Sequence, residues 1–276
     1  MDLSVSCDES SDQKRERVFA VGGLLGSEDD WRPLEDLWLR RTDGKTFHAN
    51  DCESDQGAFR TTSHGDNQRL YRDLTILLAE SRLLGLGSAM SIEDYRTSFP
   101  QDLDEHLYHY CLTDALKYFT QVAKFNIPPG VSQFTFHRRV ESEHNAREVY
   151  SYFSGIPEWQ AFMGRDLTFD DDASVRIQAA DLVARESMKH LDNAIGQSRP
   201  RRRSWIALKR SGRFVFMEYR RDSFERMKAR AAELHGPNIP EYCQWIADRK
   251  LGDNMSNRIH FMNAQDPAGK FGTRWG

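Results

Sequence analysis

Residues 175–191, VRIQAADLVARESMKHL, are the stretch of sequence that is most informative about the fold. At 100° per residue, the apolar side chains fall on one stripe of a helix. Asp181 lies inside that stripe. A carboxylate buried against a sheet loses several kcal/mol of hydration, so it needs a cation, a hydrogen-bond donor or a raised pKa. Asp181 is therefore a candidate site residue. The alternative is an aspartate at the rim of the stripe that caps a backbone amide or pairs with an arginine.

The rest of the chain alternates between strand and helix patterns. Residues 3–8 alternate apolar and polar side chains, and a second β-rich run at 17–25 predicts a hairpin with them. Further strands are predicted at 84–91, 131–137, 167–169 and 214–219, and helices at 28–40, 67–82, 103–125, 141–153, 175–191 and 222–234. This order predicts a mixed sheet with helices on both faces.

Length and composition suit one elaborated domain. The chain has 276 residues, with 42 acidic and 38 basic side chains and a net charge of -4, which gives no general reason to expect membrane or nucleic-acid binding. We expect one domain over residues 1–235, with a helical insertion at about 28–82 and a C-terminal α+β appendage, followed by a polar tail at 236–276.

The cysteines and the N-terminus indicate a cytoplasmic protein. Cys7, Cys52, Cys111 and Cys243 are scattered, so reduced thiols are expected rather than a zinc site or a redox pair. The N-terminus lacks the pattern of a signal peptide, and no apolar run approaches about 18 residues. The sequence therefore predicts no membrane span, and it does not determine the oligomeric state.

Asp8 is a second candidate carboxylate, predicted at the end of the first strand. Its neighbours on the same strand face are Ser4 and Ser6, whose small side chains leave room for a metal or a substrate. The alternative is a turn residue, because residues 8–12 have ordinary loop chemistry. Two other segments carry weaker signals: residues 47–51, FHAND, could present an imidazole beside a carboxylate, and the aspartates at 170–172 fit a helix N-terminus.

These segments together resemble a known family. Residues 5–10, VSCDES, and 19–23, FAVGG, resemble the opening of the bacterial and phage domain-of-unknown-function family 3800 (DUF3800), which has an RNase H-like fold. Residues 47–51 resemble its second motif, and residues 169–185 resemble its last. The resemblance extends over about residues 3–235.

The resemblance implies a fold and a chemistry. In RNase H-like proteins an acidic residue on the first strand lies near another on the last helix. Together with one or two further acidic residues, they hold divalent metals about 4 Å apart. These metals activate a water molecule for phosphodiester cleavage. It implies Asp8 and Asp181 as catalytic metal ligands, Asp51 or Glu141 as a further catalytic residue, and Mg²⁺ or Mn²⁺ as the cofactor. The same motifs supply the predicted substrate contacts, which are Glu9, Ser10, His48 and Gln178.

Two departures from the family pattern affect these expectations. Ser11 stands where the family usually has a glycine, so the turn after the first strand is expected to differ. The fourth strand ends at His137, where the family commonly has an aspartate. A histidine binds Mn²⁺ but is a poor ligand for Mg²⁺. His137 is therefore a candidate metal ligand, or Glu141 or Glu143 replaces it, or metal binding is weakened, or catalysis is lost.

A basic run at residues 199–213 is the remaining feature. It holds seven basic residues in fifteen positions without an acid. Arg201, Arg202 and Arg203 suit phosphate contacts, and Trp205 suits base stacking. The alternative is a solvated loop whose charges balance nearby aspartates.

The sequence thus predicts a metal-dependent nuclease with an RNase H-like acidic site and DNA or RNA as its partner. The first alternative is a non-catalytic relative that binds nucleic acid or a partner protein, in a mobile-element or phage-defence setting, and His137 favours it. The second alternative is a metal-dependent hydrolase of a smaller phosphate ester, for which the basic run has no role.

Overall fold

The fold begins with the predicted hairpin. The structure, a computed structural model, describes residues 2–12, 14, 16–100, 105–126, 130–155, 163, 166–196 and 199–235. Strand β1 (Leu3–Ser11) pairs antiparallel with β2 (Val18–Ser27), and Asp8 lies opposite Gly22. The carboxylate of Asp12 accepts hydrogen bonds from backbone amides on the far side of the turn, including 2.8 Å from Arg17. Because Asp12 organises the turn, β1 continues to Ser11, and Asp8 lies inside the strand rather than at its predicted end.

Six strands form one mixed sheet in the order β5-β4-β1-β2-β3-β6. Strand β3 (Leu84–Ser91) continues the antiparallel meander from β2, while β4 (Val131–His137) is parallel to β1 and β5 (Asp166–Asp170) is parallel to β4. Strand β6 (Phe214–Tyr219) is parallel to β3. This is the helix-flanked mixed sheet that was expected of an RNase H-like fold. The appended C-terminal part adds a sixth strand to that sheet.

Nine α-helices are present in the described residues. They are α1 (Glu28–Thr42), α2 (Ala49–Ser54), α3 (His64–Glu80), α4 (Ile92–Ser98), α5 (Glu105–Asn126), α6 (Val140–Ser154), α7 (Val175–Ile195), α8 (Arg203–Arg210) and α9 (Arg221–His235). None of the described helices is long and apolar enough to cross a membrane. The predicted polar tail at 236–276 lies outside the described residues.

The alternation of β1 divides its side chains between two cores. Val5 and Cys7 pack with Phe119 of α5 on one face of the sheet. On the other face, Ser4 Oγ accepts a hydrogen bond from Arg176 of α7. Asp8 is on the face of Ser4 because side chains two apart point the same way in a strand. The sheet therefore presents Asp8 toward α7.

Helix α7 lies unusually close to the sheet, and Gly22 makes this possible. A Cβ at Gly22 would stand 2.7 Å from the carbonyl oxygen of Ala180 and would overlap the backbone of Ala184. Real side chains cannot occupy that space, so the missing Cβ allows the helix backbone to rest on β2. Because Asp8 pairs with Gly22 across the hairpin, the same contact brings the Ala180–Ala184 turn of α7 next to Asp8.

Helix α7 is buried on more than the predicted apolar stripe. Its polar residues Arg185 and Glu186 are 7% and 0% exposed, although the sequence pattern placed them off the core face. The helix has the sheet on one side and α1, α2 and α8 on others. Its central position leaves no wide solvent face, which a stripe pattern cannot reveal.

Candidate functional site

Asp8 and Asp181 form the centre of the candidate site. Both are buried, at 4% and 5% exposure, and they come from β1 and α7. Burial, followed by the negative charge of Asp8, raises the pKa of Asp181 to about 6. Charge coupling of this kind requires proximity, since electrostatic energy falls with distance. The backbone geometry agrees, because Asp8 pairs with Gly22 and Gly22 lies against the backbone of Ala180, the residue before Asp181.

The segment at 47–51 places His48 beside Asp181. The Asp181 carboxylate accepts a 2.7 Å hydrogen bond from the backbone amide of Ala49, the first residue of α2. This leaves His48 directly before the helix, with Nδ1 3.8 Å from Asp181 Oδ2. That nitrogen is buried and has no hydrogen-bond partner among the described residues. His48 is thus free at Nδ1 to exchange a proton with Asp181 or with a bound molecule.

Gln178 holds this segment in place. Its Oε1 accepts hydrogen bonds from Trp38 Nε1 at 2.9 Å and from the backbone amide of Phe47 at 3.2 Å. Its Nε2 donates 2.8 Å to the carbonyl oxygen of Asp172 and also approaches that of Ala173. These four contacts use the whole capacity of the amide. Gln178 therefore positions the loops on both sides of Asp181. Its amide has no free donor or acceptor left for the predicted contact with substrate.

His137 links two aspartates at the end of β4. Its Nδ1 lies 3.0 Å from Asp8 Oδ1, and its Nε2 lies 2.9 Å from Asp172 Oδ1. Burial lowers the pKa of His137, but the hydrogen bond and the charge of Asp8, together with the charge of Asp172, outweigh it and raise the pKa overall. The imidazolium satisfies both carboxylates at once, with Nδ1–H donating to Asp8 and Nε2–H to Asp172.

Arg139 brings a second positive charge into the acidic centre. Its guanidinium lies 3.7 Å from Asp8 Oδ1 and donates 3.2 Å to Glu9 Oε1. Burial opposes the charged form, yet the charges of Asp8, Glu9, Asp181 and Asp172 together raise the pKa of Arg139. Its Nε also donates 3.1 Å to His137 Nδ1, a contact that excludes donation from that nitrogen to Asp8. The two contacts at Nδ1 are therefore alternatives that depend on the protonation of His137.

The remaining predicted residues of the acidic site are placed differently. Asp51 lies on α2, where its carboxylate contacts Gly57, and no hydrogen bond or ion pair among the described residues joins it to Asp8 or Asp181. Glu141 is the second residue of α6, but its side chain lies outside the described part. Glu143 pairs with Arg147. Ser10 is half-buried in β1 opposite Ala20. Asp51 and Glu141 thus stay predictions as catalytic residues.

Arg202 is a half-buried cation that is already paired with two carboxylates. It donates 2.7 Å to Glu186, which is fully buried, and forms a further ion pair with Glu53. Glu186 also accepts 2.6 Å hydrogen bonds from Tyr71 and Ser204. A buried carboxylate requires such compensation. The prediction that Arg202 binds substrate is therefore wrong for this conformation, whereas Arg201 and Arg203 are exposed.

Trp205 is also turned inward. It is 3% exposed, and its indole stacks on His190 with a ring separation of 3.6 Å and an interplanar angle of 9°. Helix α8 is amphipathic, with Trp205 and Leu208 on its buried face. The predicted role of Trp205 in stacking on bases is wrong here, because its ring is already covered by protein.

Sequence reasoning missed Arg139 and undervalued Asp172. The signal for Arg139 was the basic pair directly after the fourth strand, since a residue just beyond β4 must lie beside the end of β1. Asp172 belongs to the triplet that fits a helix cap, yet helix α7 has Ser174 at its N-cap position. Because Ser174 and not Asp172 occupies the N-cap position, the Asp172 side chain can reach His137.

The donor set fits one divalent cation and not a preformed two-metal site. Asp8 and Asp181 supply the oxygen donors that Mg²⁺ and Mn²⁺ use, and the raised pKa of Asp181 shows that this pair would gain from a nearby cation. Within the described ranges, no group of three or more histidine, cysteine, aspartate or glutamate side chains is arranged to hold a metal. Asp8 and Asp181 are therefore the residues that would hold a cation.

Comparisons with known proteins give a limited picture. No family model matches the chain. No curated protein matches it either. Among solved structures, the chain is similar to one described as a complex of PCNA with RNase HII from Archaeoglobus fulgidus, with 15% sequence identity over 76% of this chain and 90% of that chain and a TM-score of 0.38.

Proposed function

We propose that this chain is a nucleic-acid phosphodiesterase in which Asp8 and Asp181 form the catalytic centre and hold a divalent cation. The observation that carries the proposal is the placement of two buried carboxylates at the contact between the β1–β2 hairpin and α7, where burial and then the charge of Asp8 raise the pKa of Asp181. Burying two like charges together costs stability, and structural needs alone do not require it. Perturbed carboxylates of this kind are typical of functional sites.

The surrounding side chains support hydrolysis of a phosphate ester. When bound, a divalent cation lowers the pKa of a water ligand and stabilises charge on phosphoryl oxygens. His48, whose Nδ1 lies 3.8 Å from Asp181 Oδ2, is the side chain placed to move a proton beside the carboxylates. Arg139 is suited to bind a phosphate oxygen, because guanidinium groups donate well to phosphate.

A second candidate function is supported by the cations around Asp8. His137 lies at hydrogen-bond distance from its Oδ1, and Arg139 is close to the same oxygen. Positive side chains in that position reduce the attraction for a metal ion. The alternative is therefore a non-catalytic RNase H-like protein that binds nucleic acid or a partner protein.

An activity assay on the full chain separates these candidates. Purified protein is incubated with single-stranded and duplex DNA, RNA and RNA–DNA hybrid in Mg²⁺ or Mn²⁺, and with a small chromogenic phosphodiester. We expect cleavage of a nucleic acid that falls by about 10²-fold or more in Asp8→Asn and in Asp181→Asn, since each removes an essential acid–base or ligand group. Asp29→Asn, an exposed aspartate at the start of α1, is the matched control.

Three outcomes would contradict the proposal. Cleavage that persists in both variants would mean that the activity comes from elsewhere or from a contaminant. Binding of nucleic acid without any cleavage, unchanged in both variants, would favour the non-catalytic alternative. Cleavage of the small ester alone would move the substrate class to smaller phosphate esters.

A further inference from the structure

A pocket of about 340 Å³ lies away from the acidic centre, between the C-terminal half of α7, helix α8 and the end of β6. Its lining includes four basic side chains, Arg199, Arg201, Lys209 and Arg220, against one acid, Glu218. That size falls at the lower end of the range for small-molecule sites, roughly 300–1,000 Å³. The net positive lining points to an anionic ligand.

The floor of the pocket is built from an ordered stack. Trp205 stacks on His190, whose Nε2 lies 2.9 Å from Glu218 Oε1. Glu218 also pairs with Arg220 at 2.8 Å, so its charge is already compensated. Lys209 Nζ lies 4.7 Å from the centroid of the Trp205 ring, and Arg201 lies over the same ring. The lone acid is thus paired, while Arg201 and Lys209 keep their positive charge available.

A buried donor supplies the second observation. Trp205 lines the pocket at 3% exposure, and its indole Nε1 is buried with no hydrogen-bond partner among the described residues. A buried N–H without an acceptor costs free energy, and native structures rarely leave one unpaired. The indole group only donates, so the partner that it needs is an acceptor. Because this nitrogen is fully buried, an anionic oxygen in the pocket reaches it only when a neighbouring side chain moves.

We propose that this pocket binds a phosphate group, with Arg201, Lys209 and the Trp205 indole as its main contacts. The C-terminal end of α7 contributes Ala194 and Gly196 to the lining, and the negative end of a helix dipole opposes an anion. The basic side chains must outweigh that effect. We therefore expect a dissociation constant for inorganic phosphate on the order of 1 mM.

The position of the pocket relates it to the acidic centre. Asp181 and the lining residues His190 and Ala194 are nine and thirteen residues apart on the same helix, which corresponds to about 14–20 Å along its axis. Nine residues at 100° each place His190 on the opposite side of α7 from Asp181, so the two sites lie on different sides of the helix. Two sources of phosphate suit the pocket, a nucleic-acid strand and a free phosphate compound, and the first of these rests on the proposed phosphodiesterase function.

Binding experiments on the full chain test the pocket without requiring catalysis. Inorganic phosphate and a 12-nucleotide single strand are titrated separately by calorimetry. Arg201→Ala with Lys209→Ala should weaken both by at least about 10-fold, since charge-assisted hydrogen bonds are lost. Arg203→Ala with Arg210→Ala, which removes two exposed cations of α8 that do not line the pocket, is the matched control and should leave phosphate binding unchanged.

The indole donor has its own variant. Trp205→Phe keeps an aromatic ring on His190 but removes the N–H, and it should weaken phosphate binding by about 3- to 10-fold. Thermal unfolding checks that this variant is folded. If it is not, the Arg201 and Lys209 pair decides the question alone.

Each result has a defined meaning. Phosphate binding that depends on Arg201 and Lys209, with unchanged oligonucleotide affinity, would keep the phosphate site but assign it to a free phosphate compound. No phosphate binding, or binding equal in the pocket and control variants, would overturn the site. Calorimetry of phosphate binding requires no turnover, so a failure of the proposed catalytic function does not affect how this result is interpreted.

Discussion

The carboxylate of Asp181 accepts a 2.7 Å hydrogen bond from the backbone amide of Ala49, and so a residue of the long central helix α7 caps the short helix α2. A negative charge at the start of a helix is stabilised by the unpaired amides there. The same contact places His48 next to Asp181. One buried aspartate thus organises the loop that carries the candidate proton-transfer histidine.

The raised pKa of Asp181 predicts a specific pH dependence of stability. With a pKa of about 6 in the folded chain and an ordinary value of 3.8, the folded state binds more protons between these values. Stability is therefore lost as pH rises from about 4 through about 6, by up to about 3 kcal/mol. Asp181→Asn should lose this component, so its melting temperature relative to the parent should rise between pH 4 and pH 7. A constant difference across that range would contradict the raised pKa.

Metal binding should depend on His137 as well as on the carboxylates. We expect Mn²⁺ to raise the melting temperature more than Mg²⁺, because His137, once it has lost its proton, offers a nitrogen ligand that suits Mn²⁺ better. Asp8→Asn and Asp181→Asn should shrink the shift for both ions, and His137→Ala should reduce the preference for Mn²⁺. Differential scanning fluorimetry over a metal titration measures this. Shifts that are equal in the parent and all three variants would place metal binding elsewhere.

Gly22→Ala should damage both stability and activity. The added Cβ would overlap the backbone of Ala184, which cannot yield as a flexible side chain would. Overpacking of this kind costs about 1–3 kcal/mol or more, and it should move α7 away from Asp8. Gly65→Ala is the control, because a Cβ at that helical position meets only Ser63 Oγ at 3.9 Å, and it should stabilise the chain slightly. A Gly22→Ala protein as stable and active as the parent would show that the close approach is not needed.

Arg202→Ala should destabilise the chain much more than Arg203→Ala. Removing Arg202 leaves the fully buried Glu186 without its cation, at a cost of about 3–5 kcal/mol. Arg203 is exposed, so its removal should change stability by no more than about 0.5 kcal/mol. Urea unfolding measures both. Adding Glu186→Gln to Arg202→Ala should recover part of the loss, and two equal single-variant effects would argue against the buried pair.

Much of the fold could be read from local patterns. Alternation in residues 3–8 predicted β1, and the spacing of apolar residues at 175–191 predicted α7 with Asp181 facing the core. These predictions hold because periodicity reports which side of an element avoids water. The helix pattern identified Asp181, since a carboxylate among apolar positions contradicts it, and Asp8 was identified by its small neighbours on the polar face of the first strand.

The partners of those carboxylates were decided by tertiary structure alone. His137 and Arg139 meet Asp8 because β4 lies parallel to β1 and places the residues at its end beside Asp8, and Asp172 reaches the same His137 from beyond β5. Strand pairing over more than a hundred residues of chain leaves no local signal.

The basic run shows the same limit. In helix α8 and the chain before it, Arg202 and Trp205 point toward the protein interior, whereas Arg201 and Lys209 are exposed. Neighbouring residues of one basic run therefore have different surroundings. By itself, then, the sequence determined the strands, the helices and the two anomalous carboxylates. The packing of α7 between the sheet and its covering helices decided which charges pair in the interior and which remain exposed to solvent, because the energy of a charge depends on its neighbours in space.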